Sequence, residues 1–172
     1  MVFESCTTHS IRILTISMQA DQHRFHGLTH SADLVEADLR RRLAPLGLQH
    51  RQARVIEAMA RLGPVSQADL AAEFGITPAS MSTMTDRLLA AGYISRAPDP
   101  ASRRQNVLDL TEKGRAMLAG IEAAWAEVDA AIETVLGDDA DRFFDLARRL
   151  RNGLGGAVPG ARGQRARSAA NR

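Results

Sequence analysis

Two adjacent arginines, Arg103 and Arg104, follow Asp99-Pro100-Ala101-Ser102 in a stretch that turns back between two short apolar runs. Nothing in folding demands two guanidinium groups at the tip of a turn. Each offers five N–H donors in a flat, permanently charged fork, which suits phosphate or the floor of a narrow groove. Exposed arginines at a turn are otherwise ordinary, so the pair gains meaning only from what precedes it. Upstream, a helical stretch opens on Thr77-Pro78 and carries Ala79, Ser80, Ser82, Thr83 and Arg87 away from its apolar face. Hydroxyls in such a place can donate to phosphates or base edges. The methyl of Ala79 or Thr83 can meet a thymine methyl, and Arg87 is the one strong donor. Serine and threonine on a helix face are normally just solvated; only the capped turn before them and the arginines after them lift them here. Asp86 can pair with Arg87 or with a wing arginine and so fix geometry.

The elements that must hold these side chains are marked by punctuation residues. Ser66 caps a short helix carrying Leu70, Ala71 and Phe74, and Gly75 stops it. Thr77 is an N-cap with Pro78 at the first helical position, and the helix that follows puts Met81, Met84, Thr85 and Leu88 on one face and closes at Gly92. Apolar runs at Tyr93 to Ala97 and Asn106 to Leu110 flank the arginine turn. This order predicts a helix-turn-helix with a β-hairpin wing, the helix shaped for a major groove and the hairpin for a minor groove. Before it, helices are expected from Ser31 to Ala44 (Val35, Leu39, Leu43 on one face) and from Gln49 to Arg61 (Val55, Ile56, Met59 buried), separated by Pro45 and Gly47. After it, Thr111 caps a helix read as continuous from Glu112 to Leu136. Its apolar stripe is Met117, Leu118, Ile121, Trp125, Val128, Ile132 and Val135, and at 25 residues it would be about 37 Å long. A last helix, Asp138 to Asn152, places acids in its first turn and arginines in its last, complementing the macrodipole. The expected fold is mainly α with a two- to three-stranded antiparallel wing, an α+β class. Its divisions are an N-terminal extension over 1–30, a domain over 31–154 with its winged part at 48–111, and a disordered basic tail over 155–172.

Composition bounds the reading without deciding it. The chain has 172 residues and a net charge of +2. Residues 1–30 balance and residues 155–172 add four arginines and no acid, so the middle is slightly acidic. A nucleic-acid surface must therefore be local. Lys113 is the lone lysine. That bias fits phosphate chemistry, and equally a GC-rich genome, since arginines far from the wing share it. A single cysteine, Cys6, excludes an internal disulfide and fits a reducing cytoplasm. No apolar run reaches the roughly 18 residues of a membrane span. The apolar stretch Ile11 to Met18 is interrupted by Arg12 and is not read as a signal peptide; Met18 is an alternative start.

The order and spacing of L-A-x-x-F-G-I-T (Leu70 to Thr77), T-D-R-L-x-x-x-G-Y-I-x-R (Thr85 to Arg96), D-P-x-x-R-R and L-D-L-T-x-x-G (Asp99 to Gly114) resemble the MarR family of bacterial transcriptional regulators. The resemblance covers Ser31 to Leu154. It implies a homodimer in which the first helix and the last two intertwine, each subunit presenting one winged helix-turn-helix to half of a palindromic operator. A long helix with an uncovered apolar stripe asks for a partner on its own account. The resemblance also implies a cytoplasmic regulator, often of stress responses, with Arg104 in the minor groove. Two positions depart from the pattern. The family's Asp before the basic pair is Ser102 here, which removes a partner for the arginine fork. Gln52 matches a frequent Gln, but the next position, often aromatic, is Ala53. That region borders a cleft for small anionic or aromatic effectors, and the short side chain either enlarges it or is compensated by Trp125 or a methionine.

Other chemistry is thin. His23, His26 and His30, with Asp21, fit no compact metal-ligand spacing. Cys6 as a peroxide sensor would need an electropositive pocket. No Gly-rich phosphate loop, nucleophile elbow or H-E-x-x-H is present, so neither enzyme activity nor a cofactor is expected. The expectation is a sequence-specific DNA-binding repressor released by a small molecule. The alternatives are a non-specific architectural DNA binder and a redox-sensing regulator of the same fold.

Overall fold

The computed structural model describes residues 23–99 and 102–156, with only the backbone described over 102–105. Expectations for Cys6, for Ile11 to Met18, for the start at Met18 and for the arginines of the tail lie outside the described residues. The fold is mainly helical with a small antiparallel sheet, as the sequence predicts. Helix α1 spans Phe25–Leu43, and a 3-10 turn over Ala44–Leu46 leads to α2, His50–Leu62. Strand β1 (Val65–Ser66) precedes α3 (Gln67–Phe74) and α4 (Pro78–Ala90). The wing is β2 (Ile94–Asp99) and β3 (Ser102–Leu110). Helices α5 (Glu112–Ala116) and α6 (Leu118–Leu136), a 3-10 turn over Gly137–Asp139, and α7 (Ala140–Gly153) complete the chain. The sheet is ordered β1-β3-β2, with Val65 opposite Leu108 and Ile94 opposite Leu110, and the register shifts between Pro98 and Asp99.

Local chemistry explains most element starts. The Ser66 hydroxyl accepts from the Asp69 amide, Thr77 from Ser80, and Thr111 from Gly114, each satisfying an orphan amide of a first turn. Gln52 reaches back to accept from the Gln49 amide at the start of α2. Gly75 ends α3 in the left-handed region, φ 62°, where a Cβ would be strained. One core joins α1, α2, α3, α4, α6 and the sheet: Leu43, Ile56, Met59, Leu70, Met81, Leu88, Leu108 and Ile121 are fully buried within it.

Three expectations change. Helix α1 begins at Phe25 rather than Ser31, with no side-chain cap at Arg24, so no cap signal marks its start. Val35, placed with Leu39 and Leu43 on a buried face, is exposed, whereas the other two are buried. The helix expected as one rod from Glu112 to Leu136 is interrupted at Met117, whose amide donates to the Gly114 carbonyl, a tighter i to i−3 link. Gly114 is pressed against the wing: a Cβ there would lie 2.0 Å from the Tyr93 carbonyl oxygen. The rod beyond the pinch has 19 residues, about 28 Å.

Candidate nucleic-acid interface

Helix α4 has two faces of opposite character. Met81, Thr85 and Leu88 are buried to 0% exposure, which fixes the helix rotationally. Thr85, a polar side chain in that core, donates to the Met81 and Ser82 carbonyls and so leaves no unpaired hydroxyl. The other face presents Ala79, Ser80, Thr83 and Arg87 to solvent, with Ser82 half-buried at its edge and Thr77 exposed at the cap. The structure thus brings together the six helical residues the sequence nominated. Their hydrogen bonds differ. Thr83 donates back to the Ala79 carbonyl, and Ser82 donates to Asp86. Ser80 accepts from the Thr77 hydroxyl, so its own proton remains available to an incoming acceptor. Arg87 forms no ion pair among the described residues, leaving its full fork to a ligand.

The hairpin is aimed by a contact between wing and helix. Arg96 of β2 donates to Asp86 of α4 at 3.3 Å. Asp86 therefore has the geometric role expected of it, with a strand arginine as partner rather than Arg87. Arg96 was missed as a functional residue, although the T-D-R-L-x-x-x-G-Y-I-x-R stretch contains both members of the pair. At the far end of α4, Lys113 donates to the Ala91 carbonyl at 2.8 Å and lies 4.8 Å from the Tyr93 ring centroid. The Thr111 hydroxyl sits by the Gly92 and Tyr93 carbonyls. The C-terminal half of the outward helix is thus tied twice, at Asp86 to the wing and at Ala91 to the start of α5. The backbone of Arg103 and Arg104 lies in β3, immediately past the hairpin turn.

Two hollows flank this apparatus. One, of about 490 Å³, lies between the start of α2 and α4 and is lined by Gln49, Arg51, Gln52, Ser80, Thr83, Met84 and Arg87. The other, of about 390 Å³, lies between α1, α2 and α6. Leu39 and Val128 are its buried apolar part, His50, Arg54 and Trp125 are half-buried, and Glu57 and Asp129 stand exposed at its edge. The Glu36 carboxylate accepts from His50 Nδ1 at 2.9 Å and the His50 ring meets Trp125 edge-on, so His50 links α1, α2 and α6. The three residues expected to share an effector cleft are separated. Trp125 lines the second hollow, Gln52 lines the first while capping α2, and Ala53 is fully buried and lines neither. His50 and Arg54 went unnoticed because nothing in their spacing marks them; only packing against α6 brings them to Trp125. His23 and His26 stack loosely with Phe25, and no group of three or more potential metal ligands occurs among the described residues. No helix among those residues is long and apolar enough to cross a membrane.

A capped outward helix, a companion helix packed on it and a two-stranded wing in a three-stranded sheet define a winged helix-turn-helix protein. The sequence model of the MarR family matches residues 46–105. The HTH-type transcriptional repressor Rv2887 of Mycobacterium tuberculosis is 30% identical over 113 residues, covering 66% of this chain and 79% of that protein. The chain belongs to the MarR family of transcriptional regulators. Among solved structures, the repressor CouR bound to a 23-mer DNA duplex superposes with a TM-score of 0.66 at 27% identity, over 73% of this chain and 89% of that one. A mutant MarR from E. coli complexed with operator DNA shares the fold, with a TM-score of 0.63 at 18% identity over 76% and 96% of the two chains.

Proposed function

We propose that this regulator is a homodimeric, sequence-specific repressor that binds double-stranded DNA in the cytoplasm and is released by a small aromatic or anionic effector. The observation that carries the DNA reading is the outward face of α4, with Ser80 and Arg87 unspent and the C-terminal half of the helix tied to the wing and to α5. The DNA in the CouR complex and the repressor name of the mycobacterial relative support it. Ser80, Ser82, Thr83 and Arg87 meet base edges and phosphates in a major groove, with Thr77 and Ala79 at the leading edge. Arg103 contacts phosphate, and Arg104 enters the adjacent minor groove.

Dimerisation is supported by the apolar side chains left exposed on α1, α6 and α7. Two heads on one face of B-DNA set half-site centres about one helical turn apart, ~10 bp. The effector reading rests on the second hollow, where an apolar floor and two aromatic rings suit a flat ring and Arg54 offers a guanidinium to an acid group held away from Glu57 and Asp129 at the exposed edge.

A genome-wide footprint followed by titration tests this. The expected result is a palindromic site with Arg104→Ala reducing affinity roughly tenfold or more and lowering the salt slope by about one. The loss is greatest on A·T-rich flanks, where the groove is narrow. Equal affinity for all sequences would identify an architectural binder instead. An Arg104→Ala protein that stays folded and binds unchanged would remove the wing from the interface.

A further inference from the structure

The effector reading leaves open how a molecule between α1, α2 and α6 is felt by α4. Arg54 joins the two, because it lines the hollow and also touches the helix-turn-helix. Its guanidinium carbon lies 5.5 Å from the centroid of the Phe74 ring. It has no carboxylate partner among the described residues, so this stacking is what holds its head group. Phe74 is the last residue of α3. Gly75 follows in the left-handed region, the Ile76 amide closes onto the Ala71 carbonyl at 3.1 Å, and Thr77 already caps α4. The Phe74 ring is therefore separated from the start of the outward helix by a short, hydrogen-bonded turn with little slack.

We propose that Arg54 is the lever between effector and DNA: an acid group bound in the hollow draws the guanidinium off Phe74, and the freed end of α3 changes the pose of α4. This rests on the reading of the hollow as an effector site. The physical preference is clear. A carboxylate offers a guanidinium two parallel charge-assisted hydrogen bonds, stronger than its attraction to a partly solvated ring face. The ligand's ring meets Trp125 and His50 over Leu39 and Val128, while its acid group competes with Phe74 for one cation. Because the ligand gains that cation only when the stack is broken, it binds the two arrangements unequally, the condition for shifting an equilibrium. The lever is a positioning device; Arg54 need not touch DNA.

The test uses the full-length chain, an operator duplex and benzoate as probe. Trp125 is the sole tryptophan, so its fluorescence reports occupancy of the hollow directly. Operator affinity is measured with and without saturating benzoate, and the ratio is the readout, which cancels any change in basal affinity. In the wild-type protein the ratio should be about tenfold, within the usual range of allosteric couplings. Phe74→Leu, which keeps apolar bulk and removes the ring face, should bind benzoate at least as tightly as the wild-type protein and drop the ratio below about twofold. Phe74→Tyr should restore it, and Arg54→Met should weaken benzoate binding itself. A Phe74→Leu protein that quenches normally and is still released by the wild-type factor would overturn the lever while leaving the effector site intact. No change in Trp125 emission at millimolar benzoate in the wild-type protein would overturn both.

Discussion

The reading head and the helices around it are built to different standards of closure. In the head, α2, α3, α4 and α5 begin with a side chain bonded to a first-turn or cap amide, from Gln52, Ser66, Thr77 and Thr111. In the outer helices, α1, α6 and α7 begin without one. The large apolar side chains exposed among the described residues repeat the division. Phe25, Leu28, Leu34 and Val35 are on α1, Val135 is on α6, Phe143, Leu146 and Leu150 are on α7, and Leu154 lies just past it. None is in the head. Large apolar side chains left exposed in such number on the outer helices are a feature of interaction surfaces. The head is complete within one chain, and the outer helices present the surface that the proposed homodimer would cover.

Charging that surface is the harshest test of the contrast. Leu146→Glu with Leu150→Glu adds two carboxylates to the exposed stripe of α7. The head should keep its fold, because neither residue belongs to the core. Dimers should dissociate in sedimentation equilibrium, and operator affinity should fall about a hundredfold as two linked heads become independent. A double variant that remains dimeric would show that α7 does not carry the interface.

The same contrast explains which features were legible in the sequence. Caps are local, so Ser66, Thr77-Pro78, Gly75 and Thr111 marked their elements correctly. Helix α1 has no cap, and its first turns are exposed, so its start at Phe25 left no signal. The pinch at Met117 could not be read, because it depends on Gly114 meeting the Tyr93 carbonyl, a contact between segments that are distant in the sequence. The outward face of α4 was legible because a 3.6-residue period sorts faces without tertiary knowledge. The second hollow was not: Leu39, His50, Arg54 and Trp125 come from three helices, and Gln52, which the family pattern points to, is occupied as a capping residue.

The junction between the two regions supplies the next test. Gly114→Ala places a methyl carbon against the Tyr93 carbonyl with no flexible side chain to yield. Overpacking of this kind costs about 1–3 kcal/mol, and the thermal midpoint should drop accordingly. Because Tyr93 closes α4 and Gly114 opens the way to α6, operator affinity should fall even where the protein is fully folded. An unchanged midpoint would mean the backbone relaxes freely there, and the junction would not be a rigid link.

The smallest effect is expected on the outer helices, at an ion-pair cluster. Arg42 donates to Asp38 at 2.8 Å on its own helix and reaches across to Glu127 of α6. The hydrogen bond from Arg42, reinforced by the charges of Arg42 and Arg41 and opposed by partial desolvation, holds the Asp38 carboxyl below its ordinary value. Arg42 is raised in return, chiefly by the same bond. A lowered carboxyl binds its proton less readily folded than unfolded, so its stabilising contribution is present above the unfolded pKa. It is lost as pH falls through the lower, folded one. Asp38→Asn should therefore melt slightly below the wild-type protein at neutral pH, and the two curves should converge only in acid, below the range of an ordinary aspartate. A half-buried pair at the protein surface is still reached by salt, so the gap should also narrow in high salt. An Asp38 carboxyl titrating by NMR at or above its ordinary value would show that the pair is not formed in solution. The tie between α1 and α6 would then rest on apolar packing alone.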